Sequence, residues 1–365
     1  MTRVALFQGP GRPFELATTP LPEPHDGEIL VRIACATICR SDLHTHAGRR
    51  AGPLPSVLGH EAVGRIVSFG EGCTRADFRG APASRGDRIT WSIAVGCGAC
   101  HACLDGLPQK CDALFKYGHQ RHDPDAPSGG LAEHIVLRRG TAWFRVPDGL
   151  DDALAATSNC AFATAAAALR AGDAARHRTV VVVGAGMVGL AACAMARAAG
   201  AEAVIACDPI ESNRIRALRF GATQAVDALE TAAAEAARAA SNGRGADLVV
   251  EAAGSAPSTA LALALPRIGG TVVLVGTVAP VGEIAVDPER LVRRVLTVRG
   301  MHNYRPDDLA AALEFLAGPG RMHPWHELFA TRHALEAVDA AFAEAHARPG
   351  QRVAVVPASQ DETGR

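Results

Sequence analysis

Apolar and polar positions follow two different rhythms along the 365-residue chain. In the first part, runs such as EILVRIACATI (28–38), AVGRIVSFG (62–70), GDRITWSIAV (86–95) and LAEHIVLRRG (131–140) alternate or stay apolar briefly and stop at turn formers. That pattern predicts an antiparallel β domain with long loops. From about residue 162 the rhythm changes. TVVVVGAGMVGL (179–190) is a continuous apolar run that ends in glycines, and the helix-like AACAMARAAG and strand-like EAVIACD follow it. ADLVVEAAG, GGTVVLVG and VLTVRG extend the series. Buried strands alternating with helices predict an α/β domain whose parallel sheet is covered on both faces. A helix-like RPDDLAAALEFLAG (305–318) and a final strand QRVAVVP (351–357) close the chain. The expected organisation is a β domain over 1–161, a parallel α/β domain over 162–302, and a tail over 303–365 that is too short for a third domain and packs back on the first.

Composition narrows the partners. The formal net charge is −1 and no long basic or acidic run occurs, so nucleic acid and anionic membrane are poor fits. No apolar stretch reaches transmembrane length without a charge or turn signal. MTRVALFQGPGRPFEL lacks the long apolar segment of a signal peptide, which leads us to expect a cytoplasmic protein. Alanine is abundant, and Lys110 and Lys116 are the only lysines among 37 basic residues. Both fit codon bias in a GC-rich genome and by themselves carry no functional message.

Gly184, Gly186 and Gly189, with Met187 and Val188 between the last two, form G-x-G-x-x-G directly after a strand and opening a helix. Such glycines let the backbone approach a pyrophosphate at the helix N-terminus. Asp208 ends the next predicted strand, where a carboxylate accepts hydrogen bonds from the adenine ribose and repels a 2′-phosphate. NAD is therefore expected over NADP. Arg214 is a second candidate for cofactor contact, against the plainer reading of an exposed helix arginine.

Ten cysteines in a chain without an export signal point to metal or catalysis before disulfides. Cys97, Cys100, Cys103 and Cys111 have the spacing C-x2-C-x2-C-x7-C. Four thiolates on one short loop can close a tetrahedron around a structural zinc. An iron–sulfur cluster also takes four thiolates, but its usual spacings differ. A second, dispersed set is Cys39 in ICRSDLH, His60 and Glu61 in GHE, and Cys160 in SNCAFAT. Two thiolates and an imidazole would leave zinc one open position, as a catalytic zinc needs. Cys35, Cys73, Cys193 and Cys207 lack metal spacing and read as ordinary thiols.

These motifs, with GDR (86–88), GGLAEH (129–134) and EAAG (251–254), resemble the zinc-dependent medium-chain dehydrogenase/reductase family, the alcohol dehydrogenase group, over essentially the whole chain. The resemblance implies a GroES-like antiparallel β catalytic domain, with a structural-zinc lobe near 95–113, joined to a Rossmann doubly wound sheet. It implies two zinc ions per subunit. Cys39, His60 and Cys160 match the catalytic ligands, and Glu61 the carboxylate beside the metal. Asp42 matches the carboxylate that orients His60. Ser41 and His44 match a relay that carries the substrate proton outward. Arg40 matches a pyrophosphate contact and Thr164 a residue flanking the nicotinamide. The implied reaction is reversible oxidation of a primary or secondary alcohol to an aldehyde or ketone, by hydride transfer from a zinc-bound alkoxide to NAD.

Within the family, LHTHAGRR (43–50), PLPSVLGHE (53–61), GLPQKC (106–111), FKYGH (115–119) and SNCAFAT (158–164) resemble a subgroup associated with phosphonate catabolism. Arg49, Arg50, Lys116 and His119 would give a cationic rim suited to a hydroxyalkylphosphonate, or they are solvated loop charges. The rival substrate is a neutral alicyclic secondary alcohol in an apolar pocket, with Ile93, Phe162, Met301 and His302 as candidate lining. Relatives are homodimers or homotetramers, often joined through nucleotide-domain edges, for which 269–280 and 295–300 are candidates. A zinc-free quinone or enoyl reductase and a non-catalytic NAD-binding protein are the alternatives on the same scaffold. The three ligands and the Ser41–His44 pair argue against both.

Overall fold

The computed structural model describes residues 1–357, which divide into two compact units. The first comprises Met1–Cys160, Arg305–Leu313 and residues 325–357; the second comprises Ala161–Tyr304 and Glu314–Pro324.

In the first unit, among the described residues, a seven-stranded sheet runs in the order Trp143–Arg145, Arg88–Trp91, Glu61–Phe69, Ile29–Thr37, Arg352–Val356 and Phe329–Ala334. His134–Leu137 pairs with Ile29–Thr37 as well. A smaller sheet joins Glu15–Thr19, Thr2–Phe7 and Ser56–Val57. Phe7, Ile89, Trp91, Tyr117 and Phe342 belong to one buried core in this unit.

The register of this sheet positions the chemistry. Thr37 pairs with Glu61 on one side and with Ala354 on the other. The end of one strand, the start of the next and the start of the last therefore meet at one end of the sheet. Immediately beyond Thr37 the chain enters the short helix Arg40–His46, with Cys39 as its N-cap. The Cys39 N–H donates to Asp42 Oδ2 at 2.9 Å, so Asp42 fastens the first turn of the helix to the end of the strand. Further on, helices Asp152–Thr157 and Ala163–Ala171 are separated by a π-helical turn, Ser158–Phe162. Asn159 Nδ2 pins that turn by donating to the Trp91 carbonyl at 3.1 Å. Such widened turns recur at functional sites, and this one carries Cys160.

The second unit holds a six-stranded parallel sheet in the order Gln224–Val226, Ala203–Cys207, Thr179–Val183, Ala246–Glu251, Pro266–Leu274 and Thr297–Gly300. All five residues of Thr179–Val183 are buried, which explains the uninterrupted apolar run. The strand order reverses at Thr179–Val183, the switch point of a doubly wound sheet, where nucleotides bind.

Two expectations need correction. Pro266–Leu274 is paired on both sides, by Ala246–Glu251 and Thr297–Gly300, so 269–280 is not an edge; Thr297–Gly300 alone is, at the 295–300 position. The tail 303–365 does not pack as one piece, because Glu314–Pro324 belongs to the second unit. Aromatic packing explains the exception. Phe315 lies 6.3 Å from Phe162 and 6.5 Å from His323, ring to ring, and His323 stacks on Phe220 at 6.0 Å. Among the described residues no helix is long and apolar enough to cross a membrane.

The last helix, Val338–Ala347, is integral to the first unit. Phe342 is fully buried, with its ring 4.9 Å from Phe14 and 4.8 Å from His46. Phe342→Ala should destabilise the protein by about 3–5 kcal/mol, read from urea denaturation. A loss below about 1 kcal/mol, as at ordinary surface sites, would contradict this packing.

Candidate active site

Cys39, His60, Glu61 and Cys160 each bring one donor atom into a group in which all four lie within 4.8 Å of one another. The sulfurs of Cys39 and Cys160 are 3.9 Å apart. They behave as one acid: Cys39 is pushed well below the usual thiol range, chiefly by its hydrogen bond from Cys160, and Cys160 is pushed well above it by the same bond. Arg352 Nη2, 3.6 Å from the Cys39 sulfur, favours Cys39 as the thiolate of the pair. His60 Nδ1 meets Asp42 Oδ1 at 3.2 Å. Burial alone would lower the His60 pKa, but the Asp42 carboxylate outweighs it and lifts it to about 10. The pocket thus favours a positive charge at His60. Sulfur and imidazole donors around such a pocket suit a zinc ion.

Glu61 is fully buried, and burial raises its carboxyl to about 7 against the pull of Arg352. Arg352 reaches it with two bonds, Nε to Oε2 at 2.9 Å and Nη2 to Oε1 at 3.0 Å. The Thr37 hydroxyl donates to Oε2 at 2.6 Å. Arg352 was not among the residues expected from the sequence. Its signal was there: one charged residue opening the apolar strand of QRVAVVP, since a buried charge requires a partner.

Ser41 Oγ lies 3.3 Å from His60 Nε2. His44 follows one helical turn later, partly buried. Burial first, then Arg40 and Arg49, lower its pKa, so it is a neutral imidazole able to accept a proton. Arg40 is exposed at the first position of that helix, and Thr164 is partly buried in Ala163–Ala171. Arg49 is exposed and Arg50 partly so. His119 departs from the expected cationic rim. Burial, reinforced by the charges of His60, Lys116 and Arg50, drives its pKa well below the usual range, so it contributes no charge at neutral pH. Ile93 and Phe162 are buried in their respective units, Met301 is partly buried and His302 is exposed.

The other four cysteines form a second donor group, Cys97, Cys100, Cys103 and Cys111, again within 4.8 Å. Their lobe contains only the helical turns His101–Leu104 and Pro108–Lys110, and Leu104 and Leu107 point outward. Backbone N–H groups converge on the sulfurs: Cys97 to Cys111 at 3.1 Å, Cys100 to Cys97 at 3.3 Å and Ala113 to Cys111 at 3.3 Å. Amide donation from Ala99 and Cys100 lowers Cys97 to about 6. Preformed thiolate acceptance on a loop with so little core fits a closed tetrahedral metal site. By contrast, burial raises Cys35, Cys193 and Cys207 to about 12, which makes them unreactive packing thiols.

In the second unit the glycine turn is built for close approach. Gly184 has φ +98° and a Cβ there would lie 2.7 Å from the Ala253 nitrogen; at Gly189 it would lie 1.8 Å from the Gly184 oxygen. A Cβ on Gly186 would meet nothing within 4 Å, which leaves open space at the N-cap of helix Met187–Ala198. That cradle fits a pyrophosphate over the N–H groups of Met187 and Val188. Asp208 Oδ2 accepts the Ala185 N–H at 2.8 Å and Oδ1 the Ile210 N–H at 2.9 Å, tying the acidic residue to the turn. Arg214 is turned onto its own chain, donating to the carbonyls of Asp208 (2.8 Å) and Pro209 (2.9 Å), with Asp227 3.6 Å away.

Residues 25–148 match the alcohol dehydrogenase GroES-like domain, and residues 187–318 match the zinc-binding dehydrogenase domain. Among curated proteins, the chain is 32% identical to the 5-exo-hydroxycamphor dehydrogenase of Pseudomonas putida, over 87% of this chain and 88% of that one. The chain belongs to the zinc-dependent medium-chain dehydrogenase/reductase family, the alcohol dehydrogenase group. An alcohol dehydrogenase from Thermotoga maritima superposes with a TM-score of 0.90 at 27% identity, covering 98% of this chain and 99% of that one. A zinc-binding dehydrogenase of Sinorhizobium meliloti, solved with NADP bound, superposes at 0.84 with 26% identity over 98% and 99% of the two chains. This dehydrogenase is an oxidoreductase with a GroES-like unit and a nucleotide-binding unit.

The Glu61–Arg352 pair of this dehydrogenase gives a direct test of the site's electrostatics. Arg352→Met should cost about 3–5 kcal/mol in urea denaturation, because it leaves a buried carboxylate without its partner. Adding Glu61→Gln should recover part of that loss. An Arg352→Met protein as stable as the parent would contradict the pairing.

Proposed function

We propose that this dehydrogenase is a zinc-dependent, NAD-linked alcohol dehydrogenase that interconverts an alcohol and its aldehyde or ketone. One observation carries the reading: the donor atoms of Cys39, His60 and Cys160 converge where Ser41 Oγ stands 3.3 Å from His60 Nε2. Cys39, His60 and Cys160 would hold a zinc ion acting as a Lewis acid toward the alcohol oxygen, while a nicotinamide on the glycine turn would take up hydride.

The chain's own residues supply the rest. Asp42 fixes His60 through Nδ1 and thereby leaves Nε2 for the metal. Ser41 accepts the hydroxyl proton of the substrate and passes its own toward His44, whose neutral imidazole can accept it as the outer base. Glu61, held by Arg352 and Thr37, is a carboxylate within reach of the same donor group. Gly184, Gly186 and Gly189, with the amides of Met187 and Val188, would cradle the pyrophosphate. Asp208 would receive the adenine ribose, with Arg214 beside it, and Arg40 and Thr164 would complete the cofactor contacts. Asp208 supports NAD over NADP, since its carboxylate would repel a 2′-phosphate. The lobe of Cys97, Cys100, Cys103 and Cys111 would hold a second, structural zinc.

The similarity to a 5-exo-hydroxycamphor dehydrogenase supports a secondary and alicyclic alcohol as one substrate class. A hydroxyalkylphosphonate is the other, favoured by the charge around Lys116. The edge strand Thr297–Gly300, exposed at all four residues, supports pairing with a second copy into a homodimer, alone or within a homotetramer. Ten cysteines, none of them in a disulfide, support a reducing compartment, the cytoplasm.

Metal analysis should find two zinc ions per chain. Cys111→Ser should remove the lobe's ion, and Cys160→Ala the other together with turnover. Ser41→Ala should keep both ions and lower kcat by roughly 10²- to 10⁴-fold. A single zinc retained in Cys160→Ala at the parental rate would refute the catalytic assignment and revive a zinc-free reductase.

A further inference from the structure

At the carboxyl ends of three neighbouring strands in the second unit, one buried acid gathers the chain. Glu251 ends strand Ala246–Glu251, and the register sets it beside Val183 on one neighbour and Leu274 on the other. Val183 leads into the glycine turn, and Leu274 leads into the segment 275–277. The Glu251 carbonyl accepts the N–H groups of Val275 and Gly276, each at 2.9 Å, and the Ala252 N–H donates to the Val183 carbonyl at 2.8 Å. The side chain is fully buried, where a polar group requires partners. Its Oε1 accepts three donors: the Ala253 N–H at 2.9 Å, the Gly254 N–H at 2.7 Å and the Ser258 hydroxyl at 2.7 Å. Thr277 Oγ1 lies 3.5 Å from Oε2 and 3.5 Å from Thr259 Oγ1. Helix Ala256–Ala264 has a cap of its own, since Ser255 Oγ accepts the Ser258 N–H at 3.2 Å. The bonds to Ala253 and Gly254 therefore serve the loop ahead of the helix.

That loop has no slack. At Gly254, φ +74°, a Cβ would lie 2.3 Å from the Gly276 oxygen, and a Cβ on Gly276 would lie 2.5 Å from the Gly254 nitrogen. The Gly184 Cβ position is 2.7 Å from the Ala253 nitrogen. Three loops thus meet backbone to backbone, and fixing 252–254 fixes the glycine turn and 276–277 with it. Their outer face is open. Ala252, Ala253, Gly254 and Gly276 are partly exposed and Thr277 is exposed, above an acid that is fully buried. Sheet order gives this face its place. Ala203–Cys207, which leads to Asp208, lies on one side of Thr179–Val183, while Ala246–Glu251 and Pro266–Leu274 lie on the other. A dinucleotide at a switch point spans both sides. With the adenine ribose at Asp208, the nicotinamide half falls to the side of Glu251.

We propose that Glu251 is a positioning residue for the nicotinamide half of the cofactor, holding 252–254 and 276–277 from beneath as a preformed floor. This rests on the dehydrogenase reading above and assigns a role within its cofactor site. A preformed surface lowers the ordering cost of binding. Losing it should weaken the whole dinucleotide and spare its adenosine end.

Fluorescence titration with NADH and calorimetric titration with AMP, on the intact protein, test this without turnover. Glu251→Ala should weaken NADH binding by about tenfold or more, the scale of one lost buried acceptor, while AMP binds as in the parent. Glu251→Gln keeps a carbonyl oxygen for the Ala253 and Gly254 N–H groups and should recover most of the loss. Ser258→Ala removes one of the three donors and should weaken NADH by about threefold to tenfold. In turnover, the Glu251 variants should raise KM for NAD more than they lower kcat. Parental NADH affinity in Glu251→Ala, or an equal loss of NADH and AMP, would overturn the inference and leave the dehydrogenase reading intact. If Glu251→Ala does not fold, parental NADH affinity in Ser258→Ala overturns it. A parent protein that binds neither NADH nor AMP would instead overturn the cofactor assignment, and this inference with it.

Discussion

At Glu61 and Arg352 a buried carboxylate and a nearly buried guanidinium meet through two bonds, at 2.9 and 3.0 Å. Much else in the first unit follows from accommodating that pair. Arg352 opens the last strand, so the chain must return from its far end to complete the sheet beside Ile29–Thr37. The same guanidinium stands 3.6 Å from the Cys39 sulfur and favours its thiolate form. Thr37, opposite Glu61 in the register, spends its hydroxyl on the carboxylate. One ion pair therefore couples strand order, helix entry and donor-group charge. Removing either partner alone would leave a charge that the interior cannot solvate.

Around this pair the charges alternate. Asp42 neutralises His60 from one side, Arg352 neutralises Glu61 from the other, and the two cysteines share a proton between them. Such a pocket prefers a cation at its centre, which is the electrostatic meaning of a metal-ligand set. The lobe of four cysteines is separate in kind. Its donors sit on turns with few buried residues.

The legible parts of the sequence were the local ones. The glycine turn needed only its spacing after an apolar strand, and a Cβ at Gly189 would indeed strike the Gly184 oxygen at 1.8 Å. Both donor groups were legible too, the lobe from spacing and the dispersed set from the company of Ser41, Asp42 and Glu61. What escaped depends on long-range register. Arg352 acts on a carboxylate 291 residues away. The π-helical turn that presents Cys160 has no compositional signature in SNCAFAT. His119 resembled a cation until burial was known. The return of Glu314–Pro324 to the second unit depends on Phe315 meeting Phe162, which no periodicity announces.

We propose that two chemically different metal sites share one chain, one closed by sulfur and one left open. X-ray absorption at the zinc edge of the purified protein tests it most directly. Six thiolates over two ions predict an average of about three sulfurs per zinc near 2.3 Å, with lighter atoms completing only the shell of the open site. Four sulfurs around every zinc, at one ion per chain, would mean that only the lobe binds metal and would contradict the account.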